Sequence, residues 1–316
     1  MPVWSRAMAR IFVARRLPGP AIDRLREAGH EVEVYPGELP PSREELLAGV
    51  AGAQGLLSLL TDRVDGELMD AAPRLEAIAN FAVGCDNIDL AAAAERGIPV
   101  GVAAHVLTDA TADLTMALLL AASRNIVTSE HDAHSGRWKT WEPEGWLGRD
   151  LRGAKMLVVG RGRIGQAVAE RAAPFGIEVT FAGRDDDLLE LLPDADIVTL
   201  HCPLTDETRH LIDSAALEAM KPDSLLINTT RGGVVDQEAL LAALQAGTIG
   251  GAALDVTDPE PPPEDDPIFE APNLLLVPHI GSATAATRAA MGNSAADNLL
   301  AALDGRPMPT PAPSPS

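Results

Sequence analysis

At 316 residues the chain exceeds one ordinary α/β domain and suits two, each large enough to bury its own core. Its 25 basic residues against 46 acidic ones give a formal charge of −21, which argues against a nucleic-acid or anionic-membrane partner. No apolar run approaches the roughly eighteen residues of a membrane span; Leu114–Ala122 is the most apolar stretch. Cys85 and Cys202, the only cysteines, give no disulfide framework and point to a reducing, cytoplasmic compartment.

In chain order, Arg6, Arg10, Arg15 and Arg16 stand without an acid and superficially suggest a targeting segment. Because Ile11–Ala14 already reads as a strand, a short extension is expected instead, with Met8 an alternative start. From Arg10 to about Val102, β-like and helix-like segments alternate: strands at 11–14, 31–34, 55–59, 75–79 and 98–102, helices at 20–28, 42–50, 66–72 and 87–95. That rhythm predicts a parallel sheet with crossover helices. Leu107–Arg124 is the longest helical pattern, with Thr108 as its expected N-cap, and reads as a bridge between domains. Asn125–Arg149 is polar and holds Trp138, Trp141 and Trp146, which fits an interface, a pocket edge or a satellite cluster under a loop. His131 and His134 have helical spacing, but with no third ligand nearby a solvated face is expected and no metal.

A second β/α series runs from Lys155 to about Val277, with strands at 156–159, 178–181, 197–200, 225–228, 252–255 and 274–277. Its first strand ends in Gly160, Gly162 and Gly165, spaced G-x-G-x-x-G, and a helix follows. In that context Gly160 permits the tight turn, Gly162 lets the backbone approach a pyrophosphate and Gly165 allows close helix packing, while the helix N-terminus offers N–H groups to an anion. With a second strand at the expected distance, this predicts a dinucleotide-binding unit. Thr287–Leu303 is alanine-rich and helical and is expected to return to the first domain, making that domain discontinuous. The proline- and serine-rich 307–316 is expected to be a disordered tail.

Three polar clusters follow successive strands of this second series. They are Thr229-Thr230-Arg231-Gly232-Gly233, Asp255–Pro261 and Pro278-His279-Ile280-Gly281-Ser282. Open α/β sheets place ligand groups at the carboxyl ends of strands, so an arginine, a carboxylate and a histidine are expected in one crevice. Arginine supplies a rigid fork for a carboxylate, histidine titrates near neutrality, and an adjacent Glu260 favours the imidazolium. Together they specify proton transfer to the carbonyl of an anionic substrate, the complement of a hydride from a nicotinamide. Taken singly, Arg231 also reads as a structural ion pair, Glu260 as an exposed loop acid and His279 as a hinge histidine. At the end of the second strand, Gly183 stands where an acid would accept from a ribose 2′-OH, and Arg184 next to it suits a 2′-phosphate. NADP(H) is therefore favoured over NAD(H), against the repulsion of Asp185, Asp186 and Asp187.

The stretches GRGRIG at 160–165, HCPLTDETRHLI at 201–212, NTTRGGVVD at 228–236, LDVTDPEPPP at 254–263 and PHIGSAT at 278–284 resemble the D-isomer-specific 2-hydroxyacid dehydrogenase family. So do VGCDNID at 83–89 and LTDATADLTMALLLAASR at 107–124. The likeness spans nearly the whole chain, and within the family the glyoxylate and hydroxypyruvate reductases are most similar. The resemblance implies two doubly wound parallel-sheet domains. One is a Rossmann dinucleotide-binding domain at 103–284, and the other a discontinuous flavodoxin-like substrate domain at 1–102 and 285–306. It further implies that Arg231 orients the substrate, that His279 is general acid in reduction and base in oxidation, and that Glu260 pairs with His279. The backbone of Val83 and Gly84 would hold the substrate carboxylate. Cofactor contacts are expected from Gly160, Gly162, Arg163, Ile164, Gly165, Gly183, Arg184, Cys202, Thr229, Thr230, Asp255 and Gly281. The implied activity is reduction of small 2-oxo acids, by a homodimer. Alternatives are a D-lactate or 3-phosphoglycerate type of dehydrogenase, the latter commonly carrying a further domain for which this chain has no room, and a cofactor-sensing corepressor-like protein.

Overall fold

The computed structural model describes residues 8–314. The expectations for the first seven residues, and for the last two of the tail, lie outside the described residues. The chain divides into two compact units, one running to Leu107 and resuming at Ala283, the other spanning Thr108–Ser282.

The first unit runs β1 (Arg10–Val13), α1 (Ala21–Glu27), β2 (Glu31–Val34), α2 (Arg43–Val50), β3 (Gly55–Ser58), α3 (Gly66–Ala71), β4 (Ala77–Asn80), α4 (Leu90–Glu95) and β5 (Val100–Val102). All five strands are parallel, in the order β2-β1-β3-β4-β5. Helices cover both faces, so β3 and β4 are buried at every position, whereas Glu31-Val32-Glu33-Val34 at the edge alternates exposed and half-buried residues. Ser42, Asp65 and Asp89 cap α2, α3 and α4 by accepting the N–H three residues on, and Ser42 and Glu45 complete a capping box.

The expected disordered tail is corrected for its described residues. Pro311 pairs antiparallel with Gly101, the Val102 N–H donates to Thr310 O at 2.9 Å, and the Ala312 N–H donates to Val100 O at 2.8 Å. Asn298 ties the same segment down, donating to Thr310 Oγ1 at 2.8 Å and accepting from the Thr310 N–H at 3.0 Å. The physical reason is register. Pro309, Pro311 and Pro313 alternate with Thr310 and Ala312, and the ladder draws on the Thr310 carbonyl and the Ala312 N–H, so no proline is called on to donate. The tail thereby covers the open edge of β5.

The second unit opens with α5 (Thr108–Ser123) and α6 (Ile126–His134). It continues β6 (Lys155–Val159), α7 (Arg163–Ala172), β7 (Glu178–Ala182), α8 (Leu188–Leu191), β8 (Ile197–Leu200), α9 (Ser214–Ala219), β9 (Leu225–Asn228), α10 (Gln237–Ala246), β10 (Gly251–Leu254) and β11 (Leu274–Leu276). Its parallel sheet is ordered β11-β10-β9-β8-β6-β7. Only one strand lies beyond β6, where the common dinucleotide-binding order has two. On one face, α5 and α7 pack Ala112, Met116, Leu119 and Val168 against Met156, Val158 and Ile227; on the other, Leu192, Leu217, Leu240 and Leu244 cover Leu157, Leu200 and Leu226. Thr108 is the first helical residue of α5 rather than its cap.

Helix α6 lies in the segment read as polar chain, and none of its residues is buried, so no apolar stripe announces it. It carries His131 and His134, and His134 Nδ1 lies 3.2 Å from Glu130. Trp146 Nε1 donates to Asp132 at 2.9 Å, while Trp138 and Trp141 are 60% and 80% exposed.

After β11 the chain re-enters the first unit as α11 (Ala285–Leu303), capped by Thr284. It packs on α1, β3, β4 and β5, with Met291, Ala295, Ala296 and Leu299 meeting Ile11, Val13 and Leu57.

Candidate active site

Strand register in the second unit brings the sequence clusters to one edge. Val159 is level with Ala182 and Leu200, Leu200 with Asn228, Asn228 with Leu254, and Leu254 with Leu276. A single row of residues thus closes all six strands. The residues just beyond it are Gly160, Gly183, His201 with Cys202, Thr229 to Arg231, Asp255, and Pro278 with His279. Neighbouring strands are about 4.8 Å apart, so the row is a continuous rim at the side where parallel sheets take their ligands.

The glycine turn sits where β6 is flanked by β7 and β8, which is the point where successive connections leave in opposite directions. Gly160 has φ +104°, and a Cβ there would lie 2.7 Å from the backbone of His201. Gly162 is different. It caps α7 with no side-chain hydrogen bond, and a Cβ on it would meet nothing within 4 Å. The fold itself therefore has no need of glycine at 162, whereas a phosphate approaching the uncapped N–H groups of α7 does. By this test the residues present fit a dinucleotide pyrophosphate. Ile164 turns its side chain to the core, so only its backbone faces a ligand. The Arg161 guanidinium stacks over Phe181, 5.3 Å from the ring centre.

At the end of β7, the Gly183 N–H donates to Asp186 Oδ2 at 2.7 Å and Asp187 caps α8. Arg184 is exposed beside them and makes no side-chain hydrogen bond or ion pair among the described residues. After β8, His201 Nε2 shares a hydrogen bond with Thr199 Oγ1 at 2.9 Å. Its Nδ1 is sealed from solvent with no hydrogen-bond partner among the described residues, and burial depresses the imidazole pKa to about 4. Burial also raises the Cys202 thiol, which keeps it protonated and unsuited to nucleophilic work.

The loop after β9 is built around Asn228, which is fully buried. Asn228 donates to Arg231 O at 2.9 Å and accepts from Thr230, both from its N–H at 3.0 Å and from its hydroxyl at 2.9 Å. Thr229 Oγ1 meets Thr115 Oγ1 of α5 at 3.0 Å. Arg231 Nη1 donates back to Thr230 O at 2.8 Å, which orients the fork. Gly232 follows because a Cβ there would overlap Thr257 O at 1.9 Å, so the loops after β9 and β10 touch backbone to backbone.

Asp255, 1% exposed, accepts from the Ile280 N–H at 2.6 Å and the Gly281 N–H at 2.8 Å. Burial raises its pKa, opposed by those two bonds and by the charge of His279. His279 donates its own N–H to Asp255 O at 2.9 Å and is held at φ +52°. Asp255 therefore pins three consecutive residues around a left-handed turn, a conformation uncommon for any residue but glycine. The imidazole Nδ1 then lies 2.5 Å from Glu260 Oε1, with the side chains 25% and 30% exposed. With Nδ1 committed to Glu260, Nε2 is left for an outside partner.

Sequence reasoning named Arg231, Glu260, His279, Asp255 and Gly281 but passed over Asn228, Thr115 and His201. A polar residue ending an otherwise apolar strand was the available signal for Asn228. Val83 and Gly84 belong to the first unit, in the turn after β4. That turn is shaped by another unflagged residue, Asn80, which donates to Gly84 O at 2.9 Å and to Asn87 Oδ1 at 3.0 Å. Asn87 donates in turn to Leu59 O and Asp62 O, each at 2.9 Å.

Residues 116–281 match the D-isomer specific 2-hydroxyacid dehydrogenase, NAD binding domain. The chain belongs to the D-isomer-specific 2-hydroxyacid dehydrogenase family. It is accordingly an NAD(P)-using oxidoreductase. A glyoxylate reductase of Korarchaeum cryptofilum is 42% identical over 306 residues, covering 92% of each chain. A crystal structure from Thermus thermophilus superposes with a TM-score of 0.92 at 51% identity, covering 96% of this chain and 100% of that one. An NADPH-dependent glyoxylate/hydroxypyruvate reductase from Sinorhizobium meliloti, solved with NADP and malonate, is 32% identical with a TM-score of 0.83 and covers 98% of each chain.

Proposed function

We propose that this chain reduces small 2-oxo acids, glyoxylate and hydroxypyruvate foremost, to 2-hydroxy acids. The observation that carries the reading is the 2.5 Å contact between His279 Nδ1 and Glu260, on the rim that also holds Arg231 and the glycine turn. When bound, a nicotinamide dinucleotide supplies the hydride. His279 Nε2 delivers the proton to the carbonyl oxygen, so the C=O becomes CH–OH with charge conserved. Glu260 fixes the tautomer and offsets the charge of the imidazolium before transfer. Arg231 presents two donors to the substrate carboxylate and carbonyl, geometry that a lysine cannot copy. Asp255 acts through the backbone, as a positioning residue for His279. Val83 and Gly84 are assigned the substrate carboxylate through their N–H groups.

NADP(H) is the favoured cofactor in this reading. In support, Gly183 brings no acid of its own, Arg184 is exposed and acts only at a distance on Glu207, and two of the three nearby aspartates are engaged by backbone N–H groups. The Sinorhizobium relative is itself NADPH-dependent. A cytoplasmic homodimer is proposed, seated on exposed Ile126, Val127, Trp138, Trp141 and Leu147. Light scattering that gives a monomer would remove the dimer. The activity test is oxidation of NADPH and NADH with glyoxylate, hydroxypyruvate, pyruvate and phenylpyruvate. Turnover with the first two is expected, and turnover with none of the four would refute the assignment.

A further inference from the structure

The first unit contains a cavity whose arginine-rich lining opposes the charge of the molecule. It measures about 630 Å³ and opens at the carboxyl ends of β1 and β2. Its walls include Arg15 and Arg16 after β1, Arg26 on α1, and Val34, Tyr35 and Glu38 on β2 and the turn beyond. Three arginines therefore line one cavity in a chain of formal charge −21.

Their charge is poorly spent within the protein. Arg15 Nη2 donates to the backbone carbonyl of Glu38 at 2.8 Å, which orients its fork without neutralising it. Arg26 pairs at 3.3 Å with Asp23, an exposed contact of small worth. Arg16 makes no side-chain hydrogen bond or ion pair among the described residues. The acids facing them are Asp23, Glu38 and, acting on Arg15, the buried Asp62; the Tyr35 hydroxyl is engaged by Glu45. Arg15 and Arg16 both line this cavity, so both are open to one ligand. A monocarboxylate offers one charge and two oxygens to a single fork. A phosphate monoester offers nearly two charges and three terminal oxygens, enough for two or three. The volume lies in the range of small-molecule pockets and leaves room for the group that bears the phosphate.

We propose that this cavity binds a phosphorylated small molecule, with Arg15, Arg16 and Arg26 gripping the phosphate. The proposal does not rest on the 2-oxo acid reading, since none of its residues is among those assigned to the oxo acid or the dinucleotide. It is tested by calorimetry on the full chain in phosphate-free, low-salt buffer, with NADPH saturating so that the dinucleotide site is filled. Glycerol 3-phosphate, inorganic phosphate and malonate are the titrants. One glycerol 3-phosphate per chain is expected, bound at least as tightly as inorganic phosphate and more tightly than malonate. Arg16→Ala, at an exposed residue with no partner to lose, is expected to weaken binding about tenfold or more with Tm and basal reductase turnover unchanged. Arg26→Gln is expected to do the same to a smaller degree. Absence of binding, or affinity indifferent to both substitutions, would overturn the site. Tighter binding of malonate that Arg16→Ala also weakens, or tighter binding of inorganic phosphate than of the ester, would overturn the ligand class.

Discussion

Gly162→Ala separates what the fold requires from what the cofactor requires. Gly162 sits at φ −73° and ψ −177°, extended backbone open to any residue, and its Cβ would meet open space. Alanine is a somewhat poorer N-cap than glycine, so the loss of stability should stay below about 1 kcal/mol. The same methyl stands where a pyrophosphate must approach α7. Forcing a methyl into a filled contact costs about 1–3 kcal/mol, which is about five- to 150-fold in Kd. Gly165→Ala provides the contrast. Its Cβ would come 2.3 Å from Gly160 O, a backbone atom with no rotamer to yield, so Tm should fall by roughly 6–12 °C for a loss of about 3 kcal/mol. Thermal melts without ligand, paired with fluorescence titration by NADPH, read both effects. If Gly162→Ala leaves NADPH affinity untouched, or melts the protein as severely as the change at 165, the reasoning is refuted.

His279→Ala should lower turnover by about 10²–10⁴-fold with cofactor affinity unchanged; near-normal turnover would remove the imidazole from proton transfer. Arg231→Lys should raise KM for oxo acids and lower kcat, because one ammonium replaces a two-donor fork; unchanged kcat/KM would show that the fork is not used. Arg184→Ala should weaken NADPH more than NADH in steady-state assays, and an equal effect on both would dissociate residue 184 from the 2′-phosphate. His201 gives a stability prediction. Its pKa falls from 6.5 to about 4 on folding, so between these values the unfolded chain binds a proton that the folded chain refuses. Stability is therefore full above pH 6.5 and declines as pH falls toward 4, by up to about 3 kcal/mol at ~1.36 kcal/mol per pH unit. His201→Gln should flatten that acid limb in melts across the range, and an identical limb would assign the loss elsewhere.

Most of the fold was legible because its strands are short apolar runs ended by polar clusters, and both series repeat that punctuation. The candidate site residues were legible for the same reason. Arg231, Asp255 and His279 each follow a strand whose last residue lies in one register row, so order along the chain becomes proximity in space. What escaped notice depends on contacts that leave no local pattern. Helix α6 buries nothing, so its sequence has no apolar face to read. Asn228 and Asn80 look like ordinary strand-end amides until their loops curl back onto them. The tail was misjudged from composition. Its prolines signal disorder on average, yet their alternation with Thr310 and Ala312 is what permits pairing with β5. Gly183 and Arg184 were visible, but the bond that draws Asp186 onto the Gly183 N–H depends on how the short loop before α8 closes.

The most direct measurement follows the hydride itself. NADPH deuterated at the transferable C4 position is incubated with hydroxypyruvate and the wild-type chain, and the glycerate is analysed by mass spectrometry and chiral chromatography. The expected product is D-glycerate carrying one deuterium at C2, formed at a rate that collapses in His279→Ala. Unlabelled product, the L-enantiomer, or labelled product formed equally fast without the histidine would contradict hydride transfer completed by His279.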